Sequence, residues 1–313
     1  MRSRIVLFTG NSNPPLAHKV CFHLGVPPGQ ALVGRFSDGE VRVEVGGNVR
    51  GMDVYVIQST CPPVNENLIE LLVMIDALKR ASARRINVIV PYYGYGRQDK
   101  KDKPRVALTA KMVADLFSVA GAGRVITLDF HANQIQGFFN IPVDHLSGTE
   151  VLLEDVRNNQ VGGEIVVAPD SGGVERARRF ASRLEVDLAL MDYRGAETTP
   201  ESYIVGDVRG RRVIILDDMV DTGRTLLRAV DGARAAGAAV VDAYCVHAVL
   251  SGGAVEAIEE SPLRSLTVTD TIPLSLKAEQ CSKIRTVSVA PLLAEVVRRV
   301  HYEESLSSLF WKP

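Results

Sequence analysis

Short runs rich in Val, Ile and Leu recur along this chain, each followed by a stretch whose apolar residues fall at helical spacing. The runs are Arg4–Phe8, Val54–Gln58, Ile86–Tyr92, Val125–Phe130, Ile165–Pro169, Leu188–Met191, Val213–Leu216, Val240–His247 and Leu266–Val268. Their nearly continuous apolar content predicts strands buried on both faces. Asn67–Ala81, Thr109–Ala120, Gly173–Leu184 and Thr225–Ala236 carry the helical pattern between them. Such alternation predicts an α/β architecture with mainly parallel sheets. Ligands of open α/β sheets collect at the carboxyl ends of the strands, so those ends are where chemistry is sought.

With 313 residues the chain has room for two domains of about 150 each. A chain of this size buries about three-quarters of its extended surface, enough for a core without disulfides or metal. The Pro142–Gly148 segment is the expected seam, dividing the chain into residues 1–148 and 149–313. VITLDFH (Val125–His131) and VIILDDMVDTG (Val213–Gly223) each join an apolar strand to acidic residues, a faint sign of duplication. The 36 basic and 37 acidic residues leave a net charge of -1, which argues against a general nucleic-acid binder. The four cysteines, Cys21, Cys61, Cys245 and Cys281, show no CxxC spacing, fit neither a zinc site nor a disulfide framework, and point to a reducing cytosol. The N-terminal segment lacks a signal-peptide pattern, and no stretch reaches the roughly 20 apolar residues of a membrane span. A cytoplasmic protein with no membrane partner is expected.

VIILDDMVDTGRT (Val213–Thr225) is the sharpest local signal. A buried strand delivers Asp217 and Asp218, and a short turn leads into a helix beginning near Thr222–Thr225. Small residues there let backbone N–H groups face one phosphate, and the helix dipole favours its charge. The paired carboxylates suit ribose hydroxyls or a metal beside that phosphate. The alternative is an ordinary strand–helix turn in which Asp221 or Thr222 caps the helix.

PYYGYGRQDKKDKPR (Pro91–Arg105) forms a second cluster, with five basic residues and two acids between Arg97 and Arg105. A cationic loop at a strand's carboxyl end suits polyphosphate, although charge runs are more often simply solvated surface. Asp99 occupies the third glycine position of a dinucleotide fingerprint, and no GxxxxGK[ST] loop occurs, so any ATP chemistry is not of the P-loop type.

The Val213–Thr225 stretch resembles the phosphoribosyl-binding loop of type I phosphoribosyltransferases and ribose-phosphate pyrophosphokinases, with Arg224 where glycine is common. RFSDGEVRVEV (Arg35–Val45), NVRGMDVYVIQST (Asn48–Thr60), RQDKKDK, LDFHANQIQGFF (Leu128–Phe139), APDSGG (Ala168–Gly173) and EESLSSLF near the C-terminus extend the resemblance to ribose-phosphate pyrophosphokinases over essentially the whole chain. The resemblance implies two type I phosphoribosyltransferase-like domains, each a mainly parallel sheet flanked by helices. It implies transfer of the diphosphoryl group of ATP to the anomeric hydroxyl of ribose 5-phosphate, with Mg²⁺, and a homo-oligomer built from dimers, a hexamer among the options. By residue, Asp38, Gly39 and Glu40 are expected to recognise adenine from a neighbouring subunit, and Arg97 and Gln98 to hold ATP. His131 and Asp170 are expected to ligate Mg²⁺. Asp217, Asp218, Asp221, Thr222, Gly223, Arg224 and Thr225 are expected to hold ribose 5-phosphate. Alone, His131 reads as a hydrogen-bonded histidine at a strand end and Asp170 as a turn residue. His18, His23, His145, His247 and His301 are assigned no role.

One stretch departs from the family. Its catalytic loop carries a lysine and a final arginine after the strand matching Leu188–Met191; this chain has Tyr193-Arg194-Gly195 there, and the loop is about two residues short. Arg194 is the cation left in the stretch and the candidate for the catalytic role, with Arg224 in support. The change also keeps open a non-catalytic paralogue that assembles with a catalytic subunit. The Asp217–Thr225 half alone would suit a phosphoribosyltransferase.

Overall fold

A computed structural model describes residues 5–194 and 201–310. Strand β1 (Ile5–Thr9) leads into helix α1 (Pro14–Leu24), whose N-cap Asn13 accepts the N–H of Leu16. An antiparallel hairpin follows, β2 (Ala31–Arg35) and β3 (Val41–Val45), which forms a sheet of its own. Then come β4 (Asp53–Ile57), α2 (Val64–Arg80), β5 (Arg85–Val90), α3 (Thr109–Ala120), β6 (Arg124–Leu128), a 3₁₀ turn over Asn133–Phe138, and β7 (Val143–Leu146). The five strands pair in parallel in the order β1-β4-β5-β6-β7. Val88, Ile89 and Val90 are consecutive and all wholly buried, so both faces of this sheet are covered, as the unbroken apolar runs predict.

The second unit begins with α4 (Thr149–Asn158) and continues through β8 (Ile165–Ala168), α5 (Val174–Leu184), β9 (Asp187–Arg194), β10 (Glu201–Val205) and β11 (Arg212–Val220). It closes with α6 (Arg224–Ala235), β12 (Val240–Ala248), α7 (Ala254–Glu260), β13 (Ser265–Thr269), α8 (Leu276–Gln280) and β14 (Ile284–Val287). The order is β10-β9-β8-β11-β12-β13-β14, with only β10 antiparallel to its neighbour. After β8 the chain builds outward on one side through β9 and β10, then returns to the other side of β8 with β11. That reversal is the topological switch point at which open α/β sheets bind ligands.

Helix α9 (Ala290–Tyr302) belongs to the first unit: the chain crosses at Ser147–Gly148 and back at Val287–Ser288. A reading with one seam has a single crossing. The helix buries Ala290, Leu293, Ala294 and Val297, a stripe at i, i+3, i+4 and i+7, and packs against α1. The Tyr55 hydroxyl donates to the Val297 carbonyl at 3.4 Å, and His301 Nδ1 lies 2.9 Å from Oδ2 of the wholly buried Asp53. Arg85 Nε donates to the other Asp53 oxygen at 2.8 Å, so this buried charge has partners on two elements.

All nine expected strands form. The sequence reading passes over the hairpin, β7, β10 and β14, which are edge or half-exposed strands with polar residues interleaved. Two expectations change. Asp217 and Asp218 do not end their strand, because β11 runs on to Val220, paired with β12 as far as Ala248. The duplication hint pairs the wrong strands: counted from β1 and from β8 across the sheets, β6 matches β13, not β11. Asp129, just past β6, therefore corresponds to Asp270, just past β13.

Candidate active site

In the second unit the switch-point loops carry the expected residues. Asp170 lies just past β8, and its Oδ1 accepts the N–H of Gly173 at 3.0 Å, which forms the turn into α5. Two residues into α5, Arg176 places Nη1 3.5 Å from Asp217 and 3.4 Å from Asp218. Asp217 Oδ1 also accepts the N–H of Asp218 at 2.9 Å. Burial first, then the adjacent Asp218 charge and hydrogen bond, hold the Asp217 carboxyl well above the usual carboxylate range; Arg176 pulls the other way. A pair this crowded favours a partner that supplies donors or positive charge.

Beyond β11 the turn reaches α6 through Gly223, whose φ of +77° lies in the left-handed region where a side chain is strained. Among the described residues no side chain caps α6. Asp221 accepts the Ser251 hydroxyl, and its carbonyl accepts the Ser251 N–H at 3.0 Å, so the loop is braced from the end of β12 and the capping reading does not hold. The first-turn N–H groups of α6 and the positive end of its dipole are left for an anion. Thr222, Arg224 and Thr225 are exposed around them.

Strand β9 positions the altered stretch. Tyr193 pairs with Ser202 of β10, and its ring packs against the core on the α6 side of the sheet. Its hydroxyl is buried and has no hydrogen-bond partner among the described residues. Arg194 is the last residue of β9; Gly195 lies outside the described residues.

The first unit holds the remaining candidates. Asp38, Gly39 and Glu40 are exposed at the tip of the β2–β3 hairpin. Gly39 has φ +97°, the Phe36 N–H donates to the Glu40 carbonyl at 2.8 Å, and the Glu40 N–H donates to Asp38 Oδ1 at 3.1 Å. Past β5, Gly94 sits so close to Thr60 that a Cβ would meet the Thr60 carbonyl oxygen at 2.3 Å. Only glycine fits at that contact, and the Gly94 N–H donates to the Thr60 hydroxyl at 2.6 Å. Arg97 and Gln98 are exposed just beyond, with Gln98 Oε1 accepting the Thr109 hydroxyl at 2.5 Å at the start of α3.

The structure brings this loop beside the segment after β6. Asp99, 6% exposed, accepts Gln134 Nε2 at 2.9 Å, and a Cβ on Gly96 would lie 3.8 Å from that of His131. His131 is exposed and follows Phe130, whose N–H donates to His145 Nε2 at 2.9 Å. Burial lowers His145 to about 4, consistent with the neutral ring that this acceptor role requires. His131 belongs to the first unit and Asp170 to the second. Among the described residues no group of three or more His, Cys, Asp and Glu side chains forms a ready-made metal cage.

Sequence reasoning missed Arg176, His145 and Ser251. Arg176 carries a usable signal, a cation in the first turn of the helix that follows APDSGG. His145 and Ser251 carry none, because their partners are distant in sequence. A cavity of 630 Å³ in the first unit lies at the amino ends of β5 and β6, lined by Arg84, Arg85, Arg124 and Asp144 among others, and by none of the expected site residues.

Two family models match the chain: the N-terminal domain of ribose phosphate pyrophosphokinase over residues 5–121, and the phosphoribosyl synthetase-associated domain over 191–311. A ribose-phosphate pyrophosphokinase of Ralstonia nicotianae is 54% identical over 309 residues, covering 98% of either chain. The chain belongs to the ribose-phosphate pyrophosphokinase family. Another such pyrophosphokinase, from Marinomonas sp., is 51% identical over 98% of this chain and 99% of its own. The crystal structure of phosphoribosylpyrophosphate synthetase from Mycobacterium smegmatis superposes with a TM-score of 0.91 at 39% identity, covering 96% of this chain and all of that one. Two phosphoribosyltransferase-like α/β domains, mainly parallel and flanked by helices, are thus the fold of this ribose-phosphate pyrophosphokinase family member. Among the described residues no helix is long and apolar enough to cross a membrane.

Proposed function

We propose that this chain transfers the diphosphoryl group of ATP to ribose 5-phosphate, giving phosphoribosyl diphosphate and AMP. The anomeric oxygen of the sugar bonds to the β-phosphorus of ATP as the bond from that phosphorus to the α,β-bridging oxygen breaks, and AMP leaves with that oxygen. The anomeric hydroxyl proton passes to solvent. The observation that carries the reading is the uncapped start of α6 beside the Asp217–Asp218 pair, at the switch point of the second sheet.

In this reading the first-turn N–H groups, with Thr222, Gly223, Arg224 and Thr225, hold the 5-phosphate, and Asp221 shapes the loop. Asp217 and Asp218 accept from ribose hydroxyls, which supply the donors this crowded pair favours. Arg97 and Gln98 hold ATP phosphates, and the Asp38–Gly39–Glu40 turn reads adenine in a neighbouring subunit of a homo-oligomer. The exposed hairpin tip suits that reach. In-line phosphoryl transfer asks for positioning and charge neutralisation more than covalent help, and Arg194 contributes a cation from β9. Asp170 in the second unit has a carboxylate oxygen suited to Mg²⁺, and His131 in the first unit is, separately, an expected ligand; a Mg²⁺ that keeps several waters needs few protein ligands. When bound, the ion neutralises phosphate charge. A cytoplasmic setting agrees with four free, buried cysteines.

The test is to incubate the protein with ATP, Mg²⁺ and ribose 5-phosphate and to quantify AMP and phosphoribosyl diphosphate together. Equal amounts, dependent on the sugar, support the reading. ATP binding without either product overturns it in favour of a non-catalytic subunit.

A further inference from the structure

The Tyr193 hydroxyl is out of place as a structural group. Among the described residues of the second unit, the buried side-chain oxygens lacking a partner are those of Thr149, Glu164, Tyr193, Glu256 and Thr267. Of these, only Tyr193 is carried by a strand beyond the carboxyl end of β8. A buried hydroxyl with no partner costs about 1–3 kcal/mol, and phenylalanine would fill the same space without that cost. Such a group is retained at no penalty when its partner arrives with a ligand.

The sheet register says where that ligand lies. Val167 of β8 pairs with Ala189 on one side and Ile215 on the other. Ala189, Met191, Val213 and Ile215 face the same core cluster, so two-residue alternation carries Tyr193 and Asp217 onto that side, past the end of the strand between them. Burial pushes the Tyr193 hydroxyl up to about 12, with Asp170 and Asp217 raising it further and Arg228 of α6 opposing them. The phenol is therefore a neutral donor throughout the working pH range. Both neighbouring carboxylates lie on the rim at the carboxyl end of β8, and neither takes its proton. Arg228 and Arg176 bring positive charge to the same rim, which favours an anionic acceptor.

We propose that Tyr193 is a substrate-contacting residue whose hydroxyl donates to a phosphoryl oxygen of the diphosphoryl group carried on the anomeric carbon. The proposal rests on the function given above. The contact is absent with ribose 5-phosphate, which has no group at that carbon, and present with phosphoribosyl diphosphate.

The experiment compares the affinities of the two sugar phosphates by calorimetry in the wild type, Tyr193→Phe and Tyr193→Lys, alongside turnover and melting temperature. Tyr193→Phe is expected to weaken phosphoribosyl diphosphate about tenfold, to leave ribose 5-phosphate within twofold, and to melt no lower than wild type. Tyr193→Lys, which restores a donor and adds a charge, is expected to recover the lost affinity. Equal affinities in wild type and Tyr193→Phe, a parallel loss for both sugars, or a lowered melting temperature would each overturn the proposal. The function can fail separately. A wild type that makes no product yet shows the tenfold difference keeps Tyr193 in this role, whereas an active wild type matched by Tyr193→Phe removes it.

Discussion

Nη1 of Arg176 lies 3.5 Å from Oδ1 of Asp217, a cation in the first turn of one helix held against a carboxylate of the neighbouring strand. Asp218 stands 3.4 Å from the same nitrogen, so one guanidinium serves two carboxylates whose side chains are 14% and 10% exposed. Removing it leaves two negative charges almost desolvated. Arg176→Ala is expected to cost about 3 kcal/mol of stability and to weaken ribose 5-phosphate binding. Denaturant melts give the first effect and calorimetry the second. In an Asp217→Asn background the cost of Arg176→Ala is smaller, and equal costs in both backgrounds would show that the pair is not coupled.

Asp217 on its own trades stability for function. Its carboxyl titrates well above the ordinary value, so between the two values the folded protein holds more protons than the unfolded chain. Its contribution to stability is full below the ordinary carboxylate value and is lost as pH rises through the elevated one. Asp217→Asn is therefore expected to raise the melting temperature by about 2–4 °C at about pH 8 while impairing ribose 5-phosphate binding. The gain disappears near about pH 4. Scanning calorimetry at the two pH values checks both the sign and the window.

His145 gives the opposite slope in the first unit. Its neutral ring accepts the Phe130 N–H, and burial lowers it from 6.5 to about 4. The unfolded chain takes up a proton in that interval before the folded one, so this stabilisation is present above pH 6.5 and is lost as pH falls toward about 4. The loss is about 1–2 kcal/mol for a partly exposed ring. His145→Gln, which retains an acceptor without titrating, is expected to flatten that part of the stability curve.

Gly94 has no room for a side chain. A Cβ would meet the Thr60 carbonyl at 2.3 Å, and that oxygen belongs to the backbone and cannot swing away. Gly94→Ala is expected to cost about 1–3 kcal/mol and to displace the Arg97–Gln98 loop, raising the KM for ATP more than that for ribose 5-phosphate. A KM unchanged for ATP would show that the loop is set by other contacts.

The sequence made the central strands legible because they are covered on both faces, and continuous runs such as Ile165–Pro169 have few other readings. It was weaker at the edges. Val143–Leu146 and Ile284–Val287 interleave polar residues with apolar ones and look like loops until a neighbouring strand pairs with them. The phosphate loop was readable because strand, acids, glycine and helix are contiguous from Val213 to Thr225. Ser251 and His145 were not, since each acts on a partner 30 or 15 residues away through contacts that no local pattern records. For Arg176 the sequence shows a cation in the first helical turn but not that its partner is Asp217, 41 residues away. The orphan hydroxyl of Tyr193 is a property of packing. A substitution read from sequence shows only which charge is missing.

The return of α9 to the first unit sets an order of events during synthesis. The face of that unit occupied by Ala290, Leu293, Ala294 and Val297 stays open until residues 290–302 have left the ribosome. The second unit, by contrast, lies on one continuous stretch from Gly148 to Val287 and has all its strands while the N-terminal unit still waits. Although translated first, the N-terminal unit is thus the later to be completed, and a chain interrupted before Ala290 leaves unfinished the unit that was begun first.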